Sequence, residues 1–198
     1  VERPGNGLSE SFDYTYCELD TFAAHFLWEI LNALKIPKAH LVGSSLGGAS
    51  VVWFAQQFPK QVSSVCIVGV PACFQGMHLP FYFWFVSSLF GLILVNLPVF
   101  RWIPLILLWI FFRIPYNSIP SAYIDCAFRA MAIRNNMLSI QTMFGRMFVY
   151  CDSNANKGWR LEDLQQLREQ FPVMFLDGPE DSFMTQAQRE QVTKYLGK

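Results

Sequence analysis

The sequence predicts an α/β domain, and three observations carry that prediction. A short apolar run, Ala39-His40-Leu41-Val42, passes through Gly43-Ser44-Ser45-Leu46-Gly47-Gly48 into a stretch with helical spacing. A second run, Ser64 to Val70, is apolar without alternation, the pattern of a strand covered on both faces of a parallel sheet. A third, Pro172 to Leu176, is followed by a loop and another helical pattern, so strands and helices alternate along the chain.

The elements follow in order. From Tyr16 the apolar positions Phe22, Phe26, Leu27, Ile30, Leu31 and Leu34 recur as on one helix face, and Thr15 with Glu18 has the spacing of a capping box. Pro37 ends that helix, and the strand from Ala39 leads to the glycine-rich turn. Beyond the turn, Val51, Val52, Phe54, Ala55 and Phe58 mark a second helix, which Pro59 closes before the strand at Ser64. Near the other end Leu161, Leu164 and Leu167 predict a further helix, with Glu162, Asp163, Gln165, Gln166 and Arg168 on its polar side. After the strand at Pro172, residues Asp177 to Ser182 form a loop, and Thr185 with Gln188 opens a final helix through a second capping box.

Between these halves the composition changes. The chain of 198 residues is 53% hydrophobic and 15% charged, where globular chains carry about 25% charged residues. The excess lies in one place: no Asp, Glu, Lys or Arg occurs from Gln61 to Phe100, and Arg101 and Arg113 are the only charges before Asp125. The longest proline-free piece, Phe81 to Leu97, has 17 residues, short of the roughly 20 that a membrane-crossing helix needs. Pro98, Pro104 and Pro115 divide the rest. The segment is therefore expected to be a helical lid, with Trp84, Trp102, Trp109 and the flanking arginines suited to a membrane surface as a second use. Fifteen basic residues balance fifteen acidic ones, so no global field draws in nucleic acid. Five cysteines, Cys17, Cys66, Cys73, Cys126 and Cys151, with no C-x-x-C pair, indicate neither a disulfide framework nor a zinc knuckle and fit a reducing compartment. No histidine and acidic spacing suggests any other metal site, and no cofactor is implied. The opening Val1-Glu2-Arg3-Pro4 has the character of mid-sequence, and the chain is expected to be a fragment of a longer one.

Gly43-x-Ser45-x-Gly47 carries the chemistry, because it stands between a strand and a helix. In that setting the serine occupies a strained turn with its hydroxyl projecting above the strand's carboxyl end, and flanking glycines at 43 and 47 let backbone approach closely. The Leu46 amide, at the start of the helix, is aimed at a developing oxyanion.

With the helix and strand that follow it, Val42-Gly43-Ser44-Ser45-Leu46-Gly47-Gly48 resembles the nucleophile elbow of the α/β-hydrolase superfamily. The resemblance implies a partial α/β-hydrolase fold, a mostly parallel sheet flanked by helices, with the lid where that superfamily inserts one. It divides the chain into core residues 1–76, lid 77–158 and core 159–198. Pro172 to Asp181 resembles the later strand and acid-bearing loop, which makes Asp181 the triad acid, ahead of Asp177, Glu180 and Asp152. Arg3 to Ser9 resembles the loop after an earlier strand, with Asn6 where histidine is common. Within the superfamily the phrases around Ser45, Cys151-Asp152-Ser153 and Phe171 to Thr185 are similar to maspardins. That likeness implies a cytosolic and endosome-associated binding protein as the alternative to an enzyme, with a protein or membrane partner.

A serine nucleophile needs a base, and the superfamily's order is Ser, then Asp or Glu, then His. No histidine follows Asp181; the three in the chain are His25, His40 and His78. His25 belongs to the first helix and His40 to the start of a strand, at the opposite end from Ser45. His78 lies past the carboxyl end of the next strand but out of order. Two functions are expected from these residues: a serine hydrolase of a carboxylic ester or lipid-like acyl small molecule, and an adaptor that keeps the fold without the chemistry.

Overall fold

The computed structural model describes residues 1–77, 88, 120, 122, 136–178, 181 and 183–197. Two compact units divide the chain, the first Val1–Tyr16 with Pro80–Arg146 and the second Cys17–Leu79 with Met147–Lys198. The elements, in chain order, are α1 (Leu19–Ala33), β1 (Ala39–Ser44), α2 (Leu46–Gln57), β2 (Val62–Val68), α3 (Asn136–Cys151), α4 (Asp163–Gln170), β3 (Val173–Leu176) and α5 (Gln186–Leu196).

The second unit is built on a parallel sheet in the order β1-β2-β3 among the described residues. Leu41 faces Val65, Gly43 faces Ile67, and Val65 and Ile67 in turn face Val173 and Phe175, so these six residues share one side of the sheet. Helix α2 covers that side. Gly48, Ala49, Val51, Val52, Trp53, Phe54 and Ala55 are all buried, which makes it an interior helix, packed against β1, β2 and α1. Its apolar residues run round the helix because it has neighbours on more than one side. Leu164 and Leu167 of α4 complete the core.

Burial along the strands alternates, against the expectation of cover on both faces. Val42 is 70% exposed, Met174 56% and Leu176 50%, while the residues between them turn inward. The apolar run of β2 follows from its place in the middle of the sheet, where Val62, Val65 and Ile67 are buried and Ser63, Ser64 and Cys66 half-buried.

The predicted cap at Thr15 and Glu18 does not form. Helix α1 begins at Leu19 with Glu18 as an extended N-cap whose side chain makes no capping bond. Thr15 donates instead to Asp13, from its hydroxyl at 2.6 Å and its amide at 2.9 Å, and these bonds hold the Asp13 carboxyl below its ordinary range. Glu18 accepts from Lys157 at 2.7 Å and, with Asp20, lies beside the buried Tyr150 hydroxyl. The second box is present as predicted, with Gln188 N–H donating to the Thr185 hydroxyl and the Gln188 side chain reaching back to the Thr185 amide.

In the first unit, residues 1–16 form turns held by side chains of α3. The Phe12 amide donates to Ser139 Oγ at 2.8 Å, the Tyr14 amide to Thr142 Oγ1 at 2.9 Å, and the Tyr14 hydroxyl to the Pro4 carbonyl at 2.8 Å. Gly5 sits at φ +73°, where a β-carbon would run into Ser139. Apart from Ser88, the apolar stretch 79–114 lies outside the described residues. Among the described residues no helix is long and apolar enough to cross a membrane.

Candidate active site

Ser45 stands between the last residue of β1 and the first of α2, at φ +51° and ψ −116°. An L-residue reaches that region only at a cost of order 1–3 kcal/mol, and it persists where the surroundings over-determine it. Here they do. The Ser45 carbonyl accepts from Ala49 N–H at 3.1 Å, closing the first turn of α2, and from Ala72 N–H at 2.9 Å. The side chain of Ser45 is exposed and does not cap the helix, which leaves its hydroxyl for other partners. Leu46 is the first residue of α2, so its N–H has no carbonyl four residues earlier to bond and points out of the helix end with the positive end of the dipole.

The glycines divide differently from the pattern. A β-carbon at Gly43 would strike the Gly47 carbonyl and the backbone beyond it, so Gly43 is required by close approach. At Gly47 an added β-carbon would meet nothing, and the contact needs only its backbone. Gly48 is the second crowded position: a β-carbon there would come within 2.9 Å of Pro71 Cβ. Pattern matching passes over Gly48 because its demand comes from Pro71, which the chain brings near only after β2.

Asp181 lies in the loop after β3 and is half-buried. Its carboxylate accepts from Phe183 N–H at 3.0 Å and, at 3.5 Å, from Val70 N–H. Val70 and Ala72 follow β2, the middle strand, and Gly69 there takes φ +69° to turn the chain out of the sheet. One segment, residues 69–72, thus bonds Ser45 through Ala72 and Asp181 through Val70, bringing both to the carboxyl edge of the sheet. That segment is itself fixed: Trp159 Nε1 donates to the Ala72 carbonyl at 2.9 Å, and Phe74 bridges to Trp159.

Of the other acids, Asp177 receives Arg189 Nε at 2.7 Å and is committed to that ion pair. Asp152 caps its own turn through the Asn154 amide, and Glu180 lies outside the described residues. Asp163, placed by its spacing on the polar side of its helix, is instead a buried carboxylate that accepts from Gln56 Nε2 at 3.0 Å and the Arg160 amide at 2.8 Å. Its partners make it a structural link between α2 and α4.

The two described histidines have partners away from the elbow. His25 packs edge-on against Trp28 and Phe58 on the outside of α1. His40 Nδ1 pairs with Ser64 Oγ at 2.8 Å near the amino ends of β1 and β2. His78 lies outside the described residues. Cys151 is buried beside Cys73, whose thiol favours the Cys151 thiolate and lowers its pKa. Among the described residues no group of His, Cys, Asp or Glu could hold a metal ion.

Comparison with known proteins bears on the fold. The family model of the alpha/beta hydrolase fold matches residues 2–93. Over 69 residues, 35% of this chain and 24% of the relative, the sequence is 41% identical to a 2-hydroxy-6-oxononadienedioate/2-hydroxy-6-oxononatrienedioate hydrolase of Paraburkholderia phymatum. The structure is similar to the meta-cleavage product hydrolase CumD of Pseudomonas fluorescens, with a TM-score of 0.67 at 16% identity over 99% of this chain and 66% of that one. It also resembles the naproxen esterase of Bacillus subtilis, with a TM-score of 0.54 at 19% identity over 90% of this chain and 55% of that one. The match therefore spans about a quarter of the curated relative and about two thirds of the solved hydrolase. The chain has the α/β-hydrolase fold.

Proposed function

We propose that this α/β-hydrolase-fold protein is a serine hydrolase acting on a carboxylic ester or lipid-like acyl substrate. The observation that carries the reading is the backbone of Ser45, held at φ +51° at the start of α2 and tied through residues 69–72 to the loop of Asp181. The Ser45 hydroxyl attacks the substrate carbonyl, the Leu46 N–H takes part of the oxyanion's charge, and Asp181 orients the base that accepts the hydroxyl proton, a role that neither described histidine of this chain is placed to fill. Collapse of the tetrahedral species releases the alcohol, and water then frees the acid. The apolar segment 77–158 acts as a lid whose side chains select long or bulky acyl groups.

The relatives widen the choice of substrate. The curated relative is a 2-hydroxy-6-oxononadienedioate/2-hydroxy-6-oxononatrienedioate hydrolase and the first-named solved structure a meta-cleavage product hydrolase, which makes a 2-hydroxy-6-oxo-dienoate a second candidate substrate for Ser45. Paired assays of p-nitrophenyl esters and a 2-hydroxy-6-oxo-dienoate separate the two.

The second reading, a maspardin-like adaptor, is favoured by one observation: neither described histidine lies near Ser45. Fluorophosphonate labelling of the full-length folded protein beside Ser45→Ala decides between them. Labelling lost in Ser45→Ala and reduced about 100-fold or more in Asp181→Asn is expected, since a misplaced base loses orders of magnitude in rate. A folded protein that does not label moves the function to the adaptor.

A further inference from the structure

Beyond the triad, Arg189 has no assigned role, yet its guanidinium surrounds the backbone on both sides of Asp181. It stands one turn into α5 and is only 18% exposed. Its Nε donates to Asp177 Oδ2 at 2.7 Å, Nη1 to the Met184 carbonyl at 2.8 Å, and Nη2 to the carbonyls of Asp181 at 2.5 Å and Gly178 at 3.4 Å. One side chain therefore ties together Asp177, Gly178, Asp181 and Met184.

We propose that Arg189 is a positioning residue for Asp181, fixing the loop so that the Asp181 carboxylate is presented at the carboxyl edge of the sheet. The inference rests on the hydrolase reading, in which Asp181 is the acid. The distribution of charge supports it. Asp177 neutralises the guanidinium, and Arg189 touches Asp181 only at its main-chain carbonyl. The Asp181 carboxylate is thus held by the Phe183 and Val70 amides, both neutral donors, and keeps its charge for an imidazolium. An arginine paired with the carboxylate itself would consume that charge. Asp177 Oδ1 is buried with no hydrogen-bond partner among the described residues, so that carboxylate is retained at a desolvation cost for the sake of the ion pair. A lysine cannot replace the arrangement, because a single ammonium has neither the planar fork nor enough donors spread across three carbonyls and a carboxylate.

The test uses the full-length protein with Arg189→Met, Arg189→Lys and Ser45→Ala, and reads ester turnover against pH, melting temperature and amide exchange. Loss of positioning is expected to lower kcat by about 10- to 100-fold with KM nearly unchanged. It also moves the acidic limb of the pH profile to lower pH, because a displaced carboxylate no longer favours the protonated imidazole. Arg189→Lys recovers only part of kcat. A folded Arg189→Lys protein with wild-type kcat and an unmoved limb overturns the proposal and leaves a merely structural clamp. Should Ser45→Ala retain turnover, the hydrolase reading itself fails, and exchange then decides: faster exchange of the Phe183 and Asp181 amides in Arg189→Lys upholds the positioning of this loop, and unchanged exchange overturns it. If Arg189→Met does not fold, Arg189→Lys carries both arms.

Discussion

At Ser45 a backbone angle says more than a side-chain contact. A serine alone at φ +51° would relax, and two carbonyl bonds together with the crowding of Gly43 against Gly47 hold it. The two glycines of the motif should respond in opposite ways. Gly43→Ala places a β-carbon into backbone and is expected to destabilise by at least about 2 kcal/mol, whereas Gly47→Ala meets open space inside a helix and should be neutral or stabilising by up to about 1 kcal/mol. Chemical denaturation of the two variants checks this, and equal losses would show that the turn tolerates both or neither. Gly43 and Ser45 were legible from the motif; Gly48 was not, because its need for a small residue is created by Pro71, 23 positions away.

Among the elements, the α3 C-terminus shows how a polar group is buried without loss. Tyr150 is fully buried, its ring edge-on to Trp53, with its hydroxyl 2.7 Å from Asp20 and 2.9 Å from Glu18 at the start of α1. It has one proton to give; the nearer Asp20 receives it, while Lys157 neutralises Glu18. Burial first, and then these two carboxylates, raise the Tyr150 pKa above its ordinary value of 10.0. A raised folded-state pKa means that the unfolded chain gives up its proton first, so stability from this group is full below pH 10.0 and declines as pH rises above it. Tyr150→Phe should cost about 1–3 kcal/mol at pH 8, and melts at pH 8 and pH 10.5 should show a smaller alkaline loss in the variant than in the parent. An equal loss in both would assign the alkaline sensitivity elsewhere. The capping box at Thr185 was visible in sequence, since both its halves are local. The false one at Thr15 had the same spacing, but Asp13, two residues earlier, took the hydroxyl.

On the scale of the whole molecule, the open side of the sheet matters most. Val42, Cys66 and Met174 stand in register across it, with Ser44, Val68 and Leu176 in the next row. Val42, Val68, Met174 and Leu176 are exposed there, a contiguous apolar surface of a kind that soluble monomers rarely leave uncovered. The 198-residue chain alone is expected to self-associate with rising concentration, and Val42→Lys with Met174→Lys to reduce that association, as light scattering would show. Scattering unchanged by the two lysines would place the sticky surface elsewhere.

What the sequence determined by itself was local and periodic: the strand-turn-helix around Ser45, the parallel character of the sheet, the order of the elements and the second capping box. Each depends on residues within a few positions of one another, and hydrophobic spacing and turn chemistry record such relations directly. The likeness of the Asp181 loop to a known acid-bearing loop belonged to the sequence as well. Tertiary structure decided the rest. Tertiary packing brings residues 69–72 between Ser45 and Asp181, ties Asp177 to Arg189, links Asp163 of α4 to Gln56 of α2 and leaves Val42, Met174 and Leu176 exposed on one side of the sheet. These are contacts between residues as much as 111 positions apart, and no local pattern encodes which distant backbone will arrive beside a given side chain.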